Sequence, residues 1–345
     1  MHEPTYAEVE VAKRELGRRR IHVLTVGGTI AMASRSPGGG VEPALDADDL
    51  LSALPGLPAG TQVTSGSFRQ VPSAHLTLRD IMELQQHIAA LFEDGHHGIV
   101  ITQGTDTIEE TAFALDLLSD TDVPIVMTGA MRHPEQAGAD GAANLLNALR
   151  LAASDDAWGQ GVLVTLNEEV HTARYVRKSH TSRPSAFDSP ALGPLGWIAE
   201  DRVRLPLRVA RRVHIALPHD ADPRPVALYT AALGDDDRMV NHLAGMGYAG
   251  VVLAGFGAGH LPARLVDEIE ALARRMPVVL ASRTAAGETY RDTYGFVGSE
   301  RDLLARGVIS AGALAPLKAR VLLSLALAAD HSHHAVAQAY DSLST

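Results

Sequence analysis

A two-domain α/β protein is the fold class the sequence predicts, with a larger N-terminal, mostly parallel sheet flanked by helices and a smaller C-terminal α/β domain. Three observations carry it. Compact apolar runs recur along the 345 residues, they alternate with longer amphipathic segments, and one stretch rich in proline and arginine interrupts the pattern. A run that is apolar at every position is a strand covered on both faces, as the strands of a parallel sheet are. Alternation of such strands with helices puts the helices on the faces of the sheet.

Each element follows in order. Residues 1–20 read as a charged tail or short helix, and IHVLTV (21–26) is the first strand, ending at Gly27-Gly28. LTLRDIMELQQHIAALFED (76–94) has helical periodicity and leads to the strand GIVIT (98–102), which stops at Gln103-Gly104. The helix pattern IEETAFALDLL (108–118), the strand PIVMT (124–128), the helix pattern GAANLLNALRLAAS (141–154) and the strand GVLVTL (161–166) complete an N-terminal domain over 21–204. Residues 205–225 carry four prolines, overlap the cluster Arg202, Arg204, Arg208, Arg211 and Arg212, and read as a linker. The grammar resumes over 226–345 with strands at VALYTA (226–231), GVVLAGFGAG (250–259) and PVVLASR (277–283), and with helices at 261–276 and 318–330. In open α/β sheets ligands bind beyond the C-terminal ends of the strands, so the residues just after each apolar run are where chemistry is expected.

Composition removes several function classes. A net charge of −11 lacks the basic face that duplex binding requires, so no nucleic-acid partner is expected. The absence of cysteine excludes disulfides, thiolate metal sites and cysteine nucleophiles. No run approaches the ~20 apolar residues of a membrane span and the first residues contain no apolar leader core, so a cytoplasmic location without membrane partners is expected. There is no G-x-G-x-x-G, GK[ST], G-x-S-x-G or H-E-x-x-H motif, so the dinucleotide-binding, phosphate-loop, α/β-hydrolase and zincin readings lose their markers.

What stands after the strands is rich in hydroxyls. Gly27-Gly28-Thr29 permits a tight turn with a threonine at the top of the sheet, and SRSPGGGVEP (34–43) reads as a hinge for a mobile lid. In Gln103-Gly104-Thr105-Asp106-Thr107, the spacing of Thr107 and Glu110 predicts a capping box that starts the helix at 108. That leaves Thr105 and Asp106 without a structural task, at a helix N-terminus suited to a carboxylate or oxyanion. Lys178 lies in a polar loop and acts as a base only if an acid and a hydroxyl stand beside it. Asp235-Asp236-Asp237 reads as a solvated helix start in preference to a metal site.

Taken together, TVGGTIAM (25–32), ITQGTDTIEETAF (101–113), PIVMTGAMR (124–132), KSHTSRPSAFDSPALGPLGWI (178–198) and YGFVGSERDLLARGVISAGALAPLKARVLL (294–323) resemble the bacterial-type L-asparaginases, a family that includes glutaminase-asparaginases. The resemblance runs from about residue 21 to the end of the chain. It implies a flavodoxin-like N-terminal domain, no cofactor, a small-molecule amide substrate and assembly into a homodimer or homotetramer. It implies catalysis by Thr29, the family's lid-loop nucleophile, with Thr105, Asp106 and Lys178 as the deeper triad. The residues alone leave open which threonine attacks. Ser73, Gly104, Thr105 and Asp106 form the implied substrate-binding set, with Ser73 at the α-carboxylate. His260 stands where many members carry an asparagine that reaches a neighbouring subunit's site, and Glu288 matches an acidic residue of the same shared site. Two departures stand out: no tyrosine occurs between Met32 and Leu51, where many members place one in the lid, and Ala74 follows Ser73 where some carry glutamine. The implied reaction is hydrolysis of L-asparagine to L-aspartate and ammonia. The alternatives are a glutaminase-asparaginase and an amino-acid-binding sensor that has lost turnover. A tRNA-dependent relative with an added N-terminal domain is disfavoured by a first strand at 21 and by the acidic charge.

Overall fold

A computed structural model describes residues 18–28, 30, 32–34, 41–43, 47–209, 213–330 and 332–344. They form two compact units: one made of the residues to 115 with 119–189 and 193–210, the other of 116–118, 190–192 and the residues from 211 onward.

The first unit is built on β1 (Arg19–Thr25), the ribbon β2 (Met32–Ser34) and β3 (Val41–Pro43), α1 (Ala47–Ser52), β4 (Thr61–Ser67), α2 (Leu78–Glu93), β5 (Gly98–Thr102), α3 (Ile108–Leu118, of which 116–118 fall in the second unit), β6 (Ile125–Thr128), α4 (Gly141–Ala152), β7 (Val162–Leu166) and β8 (Glu169–Thr172). Four short strands follow: β9 (Arg177–Lys178), β10 (Phe187–Asp188), β11 (Gly196–Ala199) and β12 (Arg202–Arg204). The main sheet has the order β12-β11-β8-β7-β6-β5-β1-β4. From β4 to β7 neighbouring strands are parallel, whereas β8, β11 and β12 extend the sheet antiparallel. Because β4 lies outside β1 while β5 lies on its other side, the direction of winding reverses between β1 and β5. This is the flavodoxin-like order, and its crevice opens at the C-terminal ends of those two strands.

Burial explains which strands the sequence predicted. Every residue of β5, β6 and β7 is buried, and Ile21, Val23, Val100, Val126 and Leu163 pack against Leu145, Ala148 and Leu149 of α4. By contrast β4, TQVTSGS, is a half-exposed edge strand with little apolar signal, and the periodicity does not predict it. The strand GVLVTL does not end in a ligand loop. Asn167 and Glu168, with φ of 51° and 67°, make a two-residue hairpin turn into antiparallel β8.

The second unit carries a parallel sheet β13 (Val226–Thr230), β14 (Gly250–Gly255), β15 (Val278–Ser282) and β16 (Ile309–Ser310), in that order. Its helices are α5 (Arg238–Leu243), α6 (Val266–Ala273), α7 (Glu300–Ala305), α8 (Pro316–Ala329) and α9 (His333–Ser344). Leu253, Leu280, Leu265, Ile269 and Leu303 centre its core. The buried Tyr340 donates its hydroxyl to the Ala319 carbonyl at 2.6 Å and so ties α9 to α8. Asp235 accepts from the Tyr229 hydroxyl at 2.5 Å and from the Ala232 N–H at 2.6 Å, which gives this acidic run a structural task. Among the described residues no helix is long and apolar enough to cross a membrane.

Candidate active site

Three loops meet at the winding reversal. Gly27 and Gly28 leave β1 with φ of 93° and 96°, a conformation that side chains with a Cβ resist. A Cβ on Gly27 would stand 2.6 Å from the Val71 carbonyl oxygen, and one on Gly28 would collide with the main chain of Gly104. The glycines are therefore needed for close backbone approach between the β1, β4–α2 and β5–α3 connections. A Cβ on Gly104 would in turn lie 2.7 Å from Ser73 Oγ, so Ser73 is pressed onto the loop after β5. Thr29 lies outside the described residues.

The capping box predicted at Thr107 and Glu110 does not form. Residues Thr105–Thr107 make a 3-10 turn ahead of α3, and the Thr107 side chain makes no cap bond. Its hydroxyl instead donates to the Ser73 carbonyl at 3.1 Å and accepts from Gln103 Nε2 at 3.1 Å. The hydroxyl thus links two loops, which local spacing could not reveal. A capping box does form one connection earlier, where Asp80 N–H donates to Thr77 Oγ1 at 3.2 Å and Thr77 N–H to Asp80 Oδ2 at 2.8 Å. It fixes the start of α2 directly after the 3-10 turn Ser73–His75, in which Ser73 is buried.

Lys178 comes from β9, 73 residues beyond Thr105, and its Nζ donates to Thr105 Oγ1 at 2.8 Å and to Asp106 Oδ1 at 2.6 Å. Thr105 is buried and the Lys178 side chain is 16% exposed, while the Asp106 carboxylate is 70% exposed. A gradient therefore runs from a dry hydroxyl–amine contact to a wet carboxylate. An open cleft of about 310 Å³ adjoins it, lined by Asp106, Lys178, Ser179, His180 and Thr181. In its neutral form the lysine amine is a proton acceptor within reach of a threonine hydroxyl, and the exposed carboxylate can hold a ligand cation.

Of the sequence-predicted residues, Ser73, Gly104, Thr105, Asp106 and Lys178 come together in the first unit. His260 and Glu288 belong to the second unit. His260 Nε2 lies 3.3 Å from Glu300 Oε2, and its ring meets Tyr294 and Phe296 edge-on at 4.8 and 5.1 Å. Burial pushes the Glu300 carboxyl up, but the N–H groups of Tyr294 and Thr293, at 2.6 and 2.9 Å, and the nearby His260 outweigh it and hold it below the ordinary carboxylate value. Glu288 is exposed. Sequence reasoning missed Gln103 and Glu109. Gln103 is fully buried and also donates to Thr111 Oγ1 at 3.1 Å, and Glu109 accepts from the Lys178 main chain. A glutamine and a glutamate beside a helix start look like surface residues, so only their burial reveals them.

Comparison with known proteins bears on the chain as a whole. The family description "Asparaginase, N-terminal" matches residues 20–211 and "Glutaminase/Asparaginase C-terminal domain" matches 225–340. An L-asparaginase of Bacillus licheniformis is 36% identical over 314 residues, covering 90% of this chain and 96% of that protein. A glutaminase-asparaginase of Pseudomonas aeruginosa is 32% identical over 335 residues, covering 94% of this chain and 90% of its own. The crystal structure of a probable cytoplasmic L-asparaginase from Campylobacter jejuni superposes with a TM-score of 0.84 at 32% identity, over 94% of this chain and 99% of that one. A chain matched by both domain descriptions, and by such relatives over nearly its whole length, belongs to the asparaginase family.

Proposed function

We propose that this protein hydrolyses the side-chain amide of L-asparagine to L-aspartate and ammonia. The observation that carries the reading is the single amine, Lys178 Nζ, within hydrogen-bond distance of both Thr105 Oγ1 and Asp106 Oδ1 beside the crevice of the sheet. Asp106 pairs with the substrate ammonium and the buried Ser73 hydroxyl receives its α-carboxylate. A threonine hydroxyl, assigned by resemblance to Thr29, adds to the amide carbon. Its proton passes through the Thr105–Lys178 pair to the departing nitrogen, which leaves as ammonia, and a water molecule then releases aspartate. On this reading main-chain N–H groups near Thr29 and Thr105 hold the developing oxyanion, the charge whose stabilisation usually contributes most.

L-Glutamine is a second substrate on this reading, because it differs by one methylene, worth only ~1–3 kcal/mol of discrimination. The Pseudomonas relative carries both activities in its name. The same reading divides the chain into a tail (1–20), domains at 21–204 and 226–345 and a connector at 205–225. It takes the protein as a cytoplasmic homotetramer in which His260 and Glu288 serve a neighbouring subunit's site. Ammonia release from L-asparagine and from L-glutamine tests the function. Asparagine should give the higher kcat/KM. Binding of aspartate without release of ammonia from either amide would favour the sensor.

A further inference from the structure

Lys178 is held at two points, and only one belongs to the chemistry above. In the β9–β10 pair, Lys178 stands opposite Phe187 and the ladder bond runs from Ser179 N–H to the Ala186 carbonyl at 2.7 Å. In that register the Lys178 N–H points away from β10 and would be a half-buried donor without a ladder partner. Glu109 supplies the partner: its Oε1 accepts the Lys178 N–H at 3.3 Å across a separation of 69 residues. Glu109 lies in the first turn of α3, three positions after Asp106. One chain segment therefore grips the lysine at both ends, with Thr105 and Asp106 at Nζ and Glu109 at the main chain.

The environment of Glu109 is unusual for a helix-start glutamate. The residue is 6% exposed, and its Oε2 has no hydrogen-bond partner among the described residues. Burying a carboxylate is unfavourable, and the helix N-terminus offsets only part of that. Favourable placement of a negative charge at a helix start needs no burial and no contact with a distant strand. A contribution to the helix alone therefore does not account for the geometry.

We propose that Glu109 is a positioning residue for this reaction, holding the Lys178 main chain so that Nζ stands against Thr105 Oγ1 and Asp106 Oδ1. The proposal rests on the asparaginase reading. A lysine stem is flexible, so the amine is placed only as well as the backbone beneath it. A misplacement of about 1 Å at a reacting group lowers the rate ~10²-fold.

The test compares wild type with E109A, E109Q and E109D for ammonia release from L-asparagine, together with deuterium uptake by the peptide that contains Lys178. E109A should lower kcat ~30–100-fold while KM moves by less than ~3-fold. E109Q, whose amide oxygen accepts the same bond, should recover kcat to within ~5-fold of wild type and leave the pH profile of kcat unmoved. Deuterium uptake at the Lys178 amide should rise in E109A and stay low in E109Q. If E109A does not fold, E109D, whose acceptor is withdrawn by one methylene, should show the same kcat loss and raised uptake. Full kcat in E109A, or in a folded E109D, would overturn the proposal. Equal loss in E109A and E109Q with a fallen Tm in both would reduce Glu109 to a structural role, and a pH profile displaced in E109Q would replace positioning by a charge effect. A wild type that releases no ammonia would defeat the asparaginase reading itself, an outcome separate from the exchange result, which reports the tether without turnover.

Discussion

At the scale of single residues, the proposed chemistry depends on contacts between groups far apart in the chain. Thr105 and Asp106 could be singled out from sequence because the helix start did not need them. Lys178 could be singled out only through a resemblance, because a lysine in KSHTSRPS looks like any surface lysine until its Nζ is found on both neighbours. Asp106 is exposed and faces the cleft, so D106N should raise KM for asparagine at least ~10-fold, as expected when a charged hydrogen bond to substrate is lost, a change steady-state kinetics will measure. His22 governs a different property. His96 Nδ1 lies 2.9 Å from the Leu91 carbonyl and His96 Nε2 lies 3.0 Å from Thr64 Oγ1. The same hydroxyl lies 2.8 Å from His22 Nδ1. Burial, followed by the nearby His96 and His87, lowers the His22 pKa to about 4 from 6.5. A depressed folded value favours the neutral imidazole, so the stabilisation is complete above pH 6.5 and is lost as pH falls toward 4. The loss is at most about 3 kcal/mol. Urea midpoints taken between pH 7 and pH 4 should fall steeply in wild type and more gently in H22L.

At the scale of elements, loops are placed by what their main chains touch. Gly28 takes a positive φ with the Gly104 main chain where a Cβ would be. Ala at 28 should therefore cost about 1–3 kcal/mol in backbone strain and also push the β1 and β5 loops apart. G28A should lower the Tm by several degrees and turnover by at least ~10²-fold, measured by thermal scan and ammonia release. The buried strands β1, β5, β6 and β7 could be read from their continuous apolar runs because both faces are covered. The edge strand β4 could not be read, since Thr61, Gln62, Thr64, Ser65 and Ser67 leave only Val63 as an apolar marker. The Thr107–Glu110 spacing misleads for a related reason. Local spacing allows a cap, but the Ser73 carbonyl, 34 residues away, takes the hydroxyl.

At the scale of the whole molecule, the order of strands decides where chemistry can occur. Placing β4 outside β1 opens the crevice between β1 and β5, and the glycines, hydroxyls and carboxylate that follow those strands gather there. Alternation along the sequence indicates a parallel sheet, but the reversal at β1 depends on β4, whose polar residues hide it, so before the structure only the family resemblance implies that reversal. The proposed homotetramer predicts a sedimentation mass about four times the 36.5 kDa of one chain, and a monomer at working concentration would remove His260 and Glu288 from any shared site. The proposed function stands on turnover of asparagine by the Thr105–Asp106–Lys178 constellation. Its most direct test is ammonia release from L-asparagine by wild type and K178M at matched concentration, with circular dichroism confirming that both are folded. Turnover is expected in wild type, with a loss of ~10³-fold or more in kcat for the variant. A folded K178M within about 10-fold of wild type would contradict it, because Lys178 would then move no proton that the reaction needs.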